Sequence, residues 1–167
     1  MKIAPKGLSQ VHMGNSGTEA VEAAIKFARK FTGKTGMVAM NGSYHGKSLG
    51  ALSITFNPKY RKSFMPLVEK VAFSPFGDIE TLRTKIDNDT AFVIMEPIQG
   101  ESGINVAPPG FLQDVRKLCD ERGILLIFDE IQAGLGRTGK MWACDHWNTT
   151  PDIICLAKGI AGGVPMS

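Results

Sequence analysis

The chain has few cysteines: Cys119, Cys144 and Cys155 among 167 residues. They are odd in number and far apart, and no CxxC pair exists, so neither a zinc site nor a disulfide framework is indicated. A reducing cytosol fits, and Cys155, inside an apolar stretch, reads as a small buried hydrophobe. Long hydrophobic runs are also lacking. Nothing approaches membrane-spanning length, and the start Met-Lys-Ile-Ala-Pro has no signal-peptide core, so a cytoplasmic protein without a membrane partner is expected. Charge of one sign is scarce: the net +3 is small and scattered, which gives no reason to expect nucleic acid. The longest basic cluster, Lys59-Tyr-Arg-Lys62, reads as a solvated loop. There is no low-complexity tract, no internal repeat and no linker. What remains is an ordinary globular composition, 43% apolar and 21% charged, in a chain the size of one domain.

Three apolar stretches each run straight into a polar cluster. Ala91–Met95 ends on Glu96, with Glu101 close behind; Ile124–Phe128 ends on Asp129, Glu130 and Gln132; Ile153–Leu156 ends on Ala157 and Lys158. Further strands are expected at Met37–Met40 and Val68–Phe73. Helices are expected from Ser16-Gly17-Thr18 to Gly33, with Val21, Ala24, Phe27, Ala28 and Phe31 on an apolar face, over Lys47–Ile54, from a cap at Asp78 to Ile86, and from Pro109 to Glu121 before Gly123. Strands alternating with helices predict an α/β fold, a mostly parallel sheet flanked by helices. The three polar clusters then share the edge where open α/β sheets bind ligands.

Asp129 ends a buried strand, where desolvation raises a carboxyl pKa unless a cation compensates. A protonated pyridine nitrogen is such a cation; a metal or a helix cap is the alternative. Lys158 follows an apolar strand, where burial would leave a neutral amine able to attack an aldehyde. Gly14-Asn-Ser-Gly-Thr18 opens a helix and suits an anion, with Ser16 and Thr18 as hydroxyl donors, although a plain N-cap accounts for it equally. Gly42-Ser-Tyr-His-Gly46 presents Tyr44, able to sandwich a flat cofactor, and His45, a packing residue or a proton carrier. These features converge on pyridoxal 5'-phosphate (PLP), with no metal. A nucleotide-binding loop is excluded by spacing: before Gly46-Lys-Ser48 the required glycine is Asn41, and before Gly33-Lys-Thr35 it is Ala28.

Asn15-Ser-Gly-Thr-Glu-Ala20, Tyr44-His-Gly46, Glu96-Pro-Ile-Gln-Gly-Glu101, Asp129-Glu-Ile-Gln-Ala-Gly-Leu-Gly-Arg-Thr-Gly139 and Leu156-Ala-Lys-Gly159 together resemble the class III aminotransferases, fold type I PLP enzymes. The likeness runs over essentially the whole chain, and the string around Asp129 is highly specific. It implies that residues 1–167 are a partial PLP-binding large domain, without the family's N-terminal segment and C-terminal small domain. It also implies roles: Lys158 bonds PLP and later moves a proton, Asp129 pairs with the pyridine nitrogen, Gln132 lies near the phenolic oxygen, Ser16, Gly17 and Thr18 hold the phosphate, and Tyr44 stacks on the ring. Glu101 resembles the glutamate that pairs with an arginine beyond Ser167.

Asn57–Leu67 and Gly159–Pro165 look most like the enzymes of arginine and lysine biosynthesis. The implied reaction moves an ω-amino group from acetylornithine, or from a precursor linked to an amino-group carrier protein, to 2-oxoglutarate, in a homodimer. The 4-aminobutyrate aminotransferases are close behind, and a catalytically inactive assembly partner is the rival from another class. One departure touches the substrate: acetylornithine enzymes typically carry Arg where this chain has Lys47, and lysine does not reproduce a bidentate carboxylate clamp. With the family's downstream arginine and the partner subunit's phosphate-binding threonine outside the sequence, the chain alone is expected to show at most trace transaminase activity, checked by glutamate formation from 2-oxoglutarate.

Overall fold

A computed structural model describes residues 3–167. The first helix, α1 (Gly17–Thr32), is capped by Ser16, whose side chain accepts from the Glu19 N–H, and closes on left-handed Gly33. Then come β1 (Gly36–Met40), α2 (Leu49–Ser53), α3 (Pro58–Arg61), β2 (Val71–Ser74) and α4 (Ile79–Lys85). They are followed by β3 (Thr90–Met95), the two-residue strands β4 (Ile98–Gln99) and β5 (Asn105–Val106), α5 (Phe111–Arg122), β6 (Leu125–Asp129) and β7 (Ile153–Cys155). Single 3-10 turns lie at Lys62–Phe64, Ala143–Trp147 and Lys158–Ala161.

β2, β1, β3, β6 and β7 form a five-stranded sheet in that order, every pairing parallel, while β4 and β5 make a separate antiparallel pair. The expected parallel sheet flanked by helices is what forms. The pleat sorts its side chains into two cores. Val38, Met40, Val93, Met95, Leu126 and Phe128 pack with α4 and α5 on one face. Met37, Ala39, Phe92, Ile94, Ile127 and Cys155 pack with α1 and α2 on the other. β3 is buried throughout and β6 nearly so, which is why both read as unbroken apolar runs.

Several boundaries move. Positive φ at Lys70 delays the second strand to Val71. Left-handed Gly110, not Pro109, precedes α5. Only Leu49–Ser53 of the expected Lys47–Ile54 helix forms. The last strand stops at Cys155, one residue early. On α1, Val21, Ala24, Ile25 and Ala28 face the sheet, but Phe27 and Phe31 are 48% and 80% exposed. At about 100° per residue those two rings fall on the flank of the helix, clear of the strands. All three cysteines are free and buried, and no described helix is long and apolar enough to cross a membrane.

Phe128 is fully buried at the centre of the α4/α5-facing core. Replacing it with alanine leaves a cavity that the parallel sheet cannot collapse into, so Phe128→Ala is expected to cost about 3–5 kcal/mol, read as a lowered urea midpoint.

Candidate active site

After β1 the chain first adds β2 on one side and then crosses to place β3 on the other. The crevice beyond the carboxyl ends of β1 and β3 is therefore a topological switch point, where open sheets bind ligands. Register and pleat fill it. Met95 pairs with Phe128 and Asp129 with Cys155, so Glu96, Asp129 and the segment after β7 lie side by side. Glu96 follows Phe92 and Ile94 in phase, and Asp129 follows Ile127, which turns both carboxylates toward the α1 side. Glu130 is out of phase and turns away. Its two oxygens accept the Ala143 and Cys144 N–H groups at 2.6 and 2.7 Å, which makes it a cap and not a site residue.

The cavity, about 550 Å³, is lined among others by Ser16, Thr18, Tyr44, Glu96, Asp129 and Lys158. Asp129 is only 4% exposed and needs partners. Oδ1 accepts the Ile131 N–H at 3.1 Å, and Oδ2 lies 2.8 Å from His45 Nδ1. Burial alone would lower the His45 pKa, but the Asp129 hydrogen bond and the charges of Asp129 and Glu96 outweigh it, and the net shift is upward. Its Nε2 is buried without a partner among the described residues. Glu96 is the third member. Burial pushes its carboxyl up to about 7; His45 opposes, Asp129 assists, and N–H bonds from Tyr44 and Gly100 oppose weakly.

The turn bearing Tyr44 and His45 is held from two sides: the Tyr44 N–H donates to Glu96 Oε2 at 3.2 Å, and the His45 N–H donates to Thr55 Oγ1 at 2.9 Å. Tyr44 is half-buried, braced edge-on by Tyr60 with ring centroids 5.5 Å apart. At the opposite end, the first turn of α1 brings Gly17 and Thr18 N–H groups that have no intrahelical partner. Ser16 both caps the helix and lines the cavity. Gly46 passes so close to this turn that a Cβ there would overlap Thr18 Oγ1, and a Cβ at Gly17 would meet Ile131 Cδ1 at 2.9 Å.

Lys158 lines the cavity but is exposed, contrary to the expectation of burial. Among the described residues β7 is an edge strand that ends three residues earlier, and Lys158 opens a 3-10 turn. Its φ of +46° is a left-handed conformation that a lysine rarely adopts, the kind of strain that collects at functional positions. Gln132 is exposed and lines the cavity, its amide resting where a Cβ at Gly100 would be. Lys47 is also exposed there, its ammonium 5.3 Å from the Tyr60 ring centroid. Glu101 is not brought in; it sits exposed in the turn between β4 and β5. The sequence reading missed the His45–Asp129 pair, for which the only hint was a histidine in a glycine-bounded turn.

These residues fit PLP. The cavity has the size of a small-molecule site, Gly17 and Gly46 let the first turn of α1 pack closely against its neighbours at one end, and a paired carboxylate and a lysine line the remainder. The sequence model of the family "Aminotransferase class-III" matches residues 1–167. The acetylornithine aminotransferase of Methanopyrus kandleri is 54% identical over 165 residues, 99% of this chain and 42% of that protein. Two solved structures superpose closely. The ornithine aminotransferase of Toxoplasma gondii, described with partial occupancy of PLP at its active site, has a TM-score of 0.88 at 36% identity, covering 92% of this chain and 38% of that one. A transaminase from the marine bacterium Virgibacillus has a TM-score of 0.94 at 28% identity, covering 99% and 41%. The chain thus spans about two fifths of the length of these relatives.

Glu96 makes the pH dependence of folding testable. Its folded pKa of about 7 lies above the ordinary 4.5, so between those values the folded chain holds a proton that the unfolded chain has lost. Stability therefore falls as pH rises from about 4.5 to about 7, by an amount on the order of 3 kcal/mol. Urea unfolding of the cofactor-free chain across that range is expected to show the slope, and Glu96→Gln to reduce it, leaving the smaller contribution of Glu130, whose carboxyl burial also pushes up.

Proposed function

The chain belongs to the class-III aminotransferase family, and we propose that it is the central part of the PLP-binding large domain of an enzyme that moves an ω-amino group from an amine such as acetylornithine to 2-oxoglutarate, giving glutamate. The family's N-terminal segment and small domain lie outside these residues on this reading, in keeping with the two fifths of the relatives' length that the chain covers. The observation that carries the proposal is the single cavity lined by Lys158, Asp129 and the first turn of α1.

PLP, when bound, supplies an electron sink for the carbanion that forms when a substrate C–H proton leaves. The Gly17 and Thr18 N–H groups and the Ser16 hydroxyl receive the phosphate at the positive end of α1. Tyr44 covers one ring face. Asp129 would hold the ring nitrogen: each oxygen spends one lone-pair direction on Ile131 or His45 and keeps another for an N–H donor. His45, 2.8 Å from Oδ2, fixes the orientation of that carboxylate, which would accept a hydrogen bond from a protonated ring nitrogen. Gln132 serves the phenolic oxygen. Lys158 Nζ would hold the cofactor covalently and would be the base that carries the proton.

On the substrate side, Lys47 offers one compact positive charge, suited to a carboxylate but not to a bidentate clamp. That supports a second reading, in which the amine is a carrier-protein-linked precursor or 4-aminobutyrate. Glu101, exposed in its turn, would on this reading pair with an arginine from outside residues 1–167. Exposed Val11, Met13, Phe27 and Phe31 support a homodimer, since apolar groups of this size are commonly covered by a partner.

Borohydride reduction in the presence of PLP is expected to label the peptide containing Lys158, and Lys158→Ala to abolish the label. Labelling elsewhere, or none, sinks the proposal. In a protein of the relatives' full length, glutamate yields from acetylornithine, from 4-aminobutyrate and from a carrier-protein-linked amine separate the substrate readings.

A further inference from the structure

A carboxylate that none of the chemistry above uses ties the two ends of the cavity together. Glu22 lies one turn into α1, half-buried, and its Oε1 accepts three hydrogen bonds: from Ser48 Oγ at 2.6 Å, the Gly50 N–H at 2.8 Å and the Ala51 N–H at 3.0 Å. Ser48 is in turn 2.6 Å, Oγ to Oγ1, from Thr18, and its N–H donates to Thr18 Oγ1 at 3.3 Å. A carboxylate can only accept, so these bonds run in one direction. Ser48 gives its hydroxyl proton to Glu22, and Thr18 gives its own to Ser48. The Thr18 hydroxyl proton is thereby committed, which leaves the N–H groups and Ser16 to meet an anion.

Ser48 is four residues from Tyr44, and between them Gly46 is pressed against Thr18. Glu22 therefore fastens the turn carrying the aromatic ring to the helix carrying the anion-binding turn. Gly50 is part of the same device: a Cβ there would overlap the Glu22 carboxylate. We infer that Glu22 is a positioning residue that fixes the distance between the Tyr44 face and the phosphate-binding turn of α1, and so sets the affinity and tilt of bound PLP. This rests on the PLP reading above.

The test compares wild type, Glu22→Ala, Glu22→Gln and Gly50→Ala by hydrogen exchange without cofactor, then by PLP titration and the circular dichroism of the bound chromophore. Glu22→Ala is expected to speed exchange at the Gly50 and Ala51 amides, weaken PLP binding about tenfold and diminish the dichroic band. Gln keeps an acceptor at the same atom, so Glu22→Gln is expected to stay within about twofold of wild type with its band intact. Gly50→Ala keeps the carboxylate but pushes it aside, and it should reproduce the alanine variant; it also serves if Glu22→Ala does not fold. Wild-type affinity and dichroism in either Glu22→Ala or Gly50→Ala overturn the inference, as do unchanged Gly50 and Ala51 exchange rates in Glu22→Ala. A wild-type chain that takes up no PLP overturns the aminotransferase reading instead.

Discussion

The site depends on Asp129 keeping a partner in a place almost wholly shielded from water. A carboxylate 4% exposed at the end of a buried strand would carry several kcal/mol of desolvation cost if left alone. His45, fully buried and 2.8 Å away, compensates it, and the Ile131 N–H takes the other oxygen. Each partner constrains more of the chain. His45 belongs to a turn pinned by Thr55 and Glu96, and Ile131 begins the loop that brings Gln132 to the cavity. The pair thus joins the segments after β1, β3 and β6 into one floor.

The other constraint is the parallel sheet. Parallel strands present their carboxyl ends on one side, and the reversal of strand order between β1 and β3 opens the crevice there. The α1 helix lies against the face toward which Glu96 and Asp129 turn, so its first turn meets the same crevice. The first N–H groups of α1, an aromatic ring and an acid are thereby gathered from segments more than a hundred residues apart. Lys158 comes from the edge strand, the least enclosed of these positions, and it shows the backbone strain absent from the others.

Much of the framework was legible because its causes are local. Ser16 and Gly33 bracket α1, Asp78 caps α4, and the apolar runs at Ala91–Met95 and Ile124–Phe128 could only be buried strands. The site was legible in part. Asp129 and Lys158 stood out by their place after apolar strands, whereas Glu101 and Glu130 shared that signal and lie outside the cavity. For Glu130 the reason is the pleat: one residue of phase turns it to the opposite face, into a capping role.

The sequence alone determined the strand and helix order, the parallel sheet it implies, and the reactive residue types at the strand ends, since each follows from spacing and burial within a few neighbouring residues. Tertiary structure alone decided that His45 compensates Asp129, that Glu22 locks Ser48 to α1, that Lys158 stands open at an edge, and that Phe27 and Phe31 face outward. Those outcomes depend on which strands become neighbours and which side of a helix meets them. They are distances across the fold, set by packing between residues far apart along the chain.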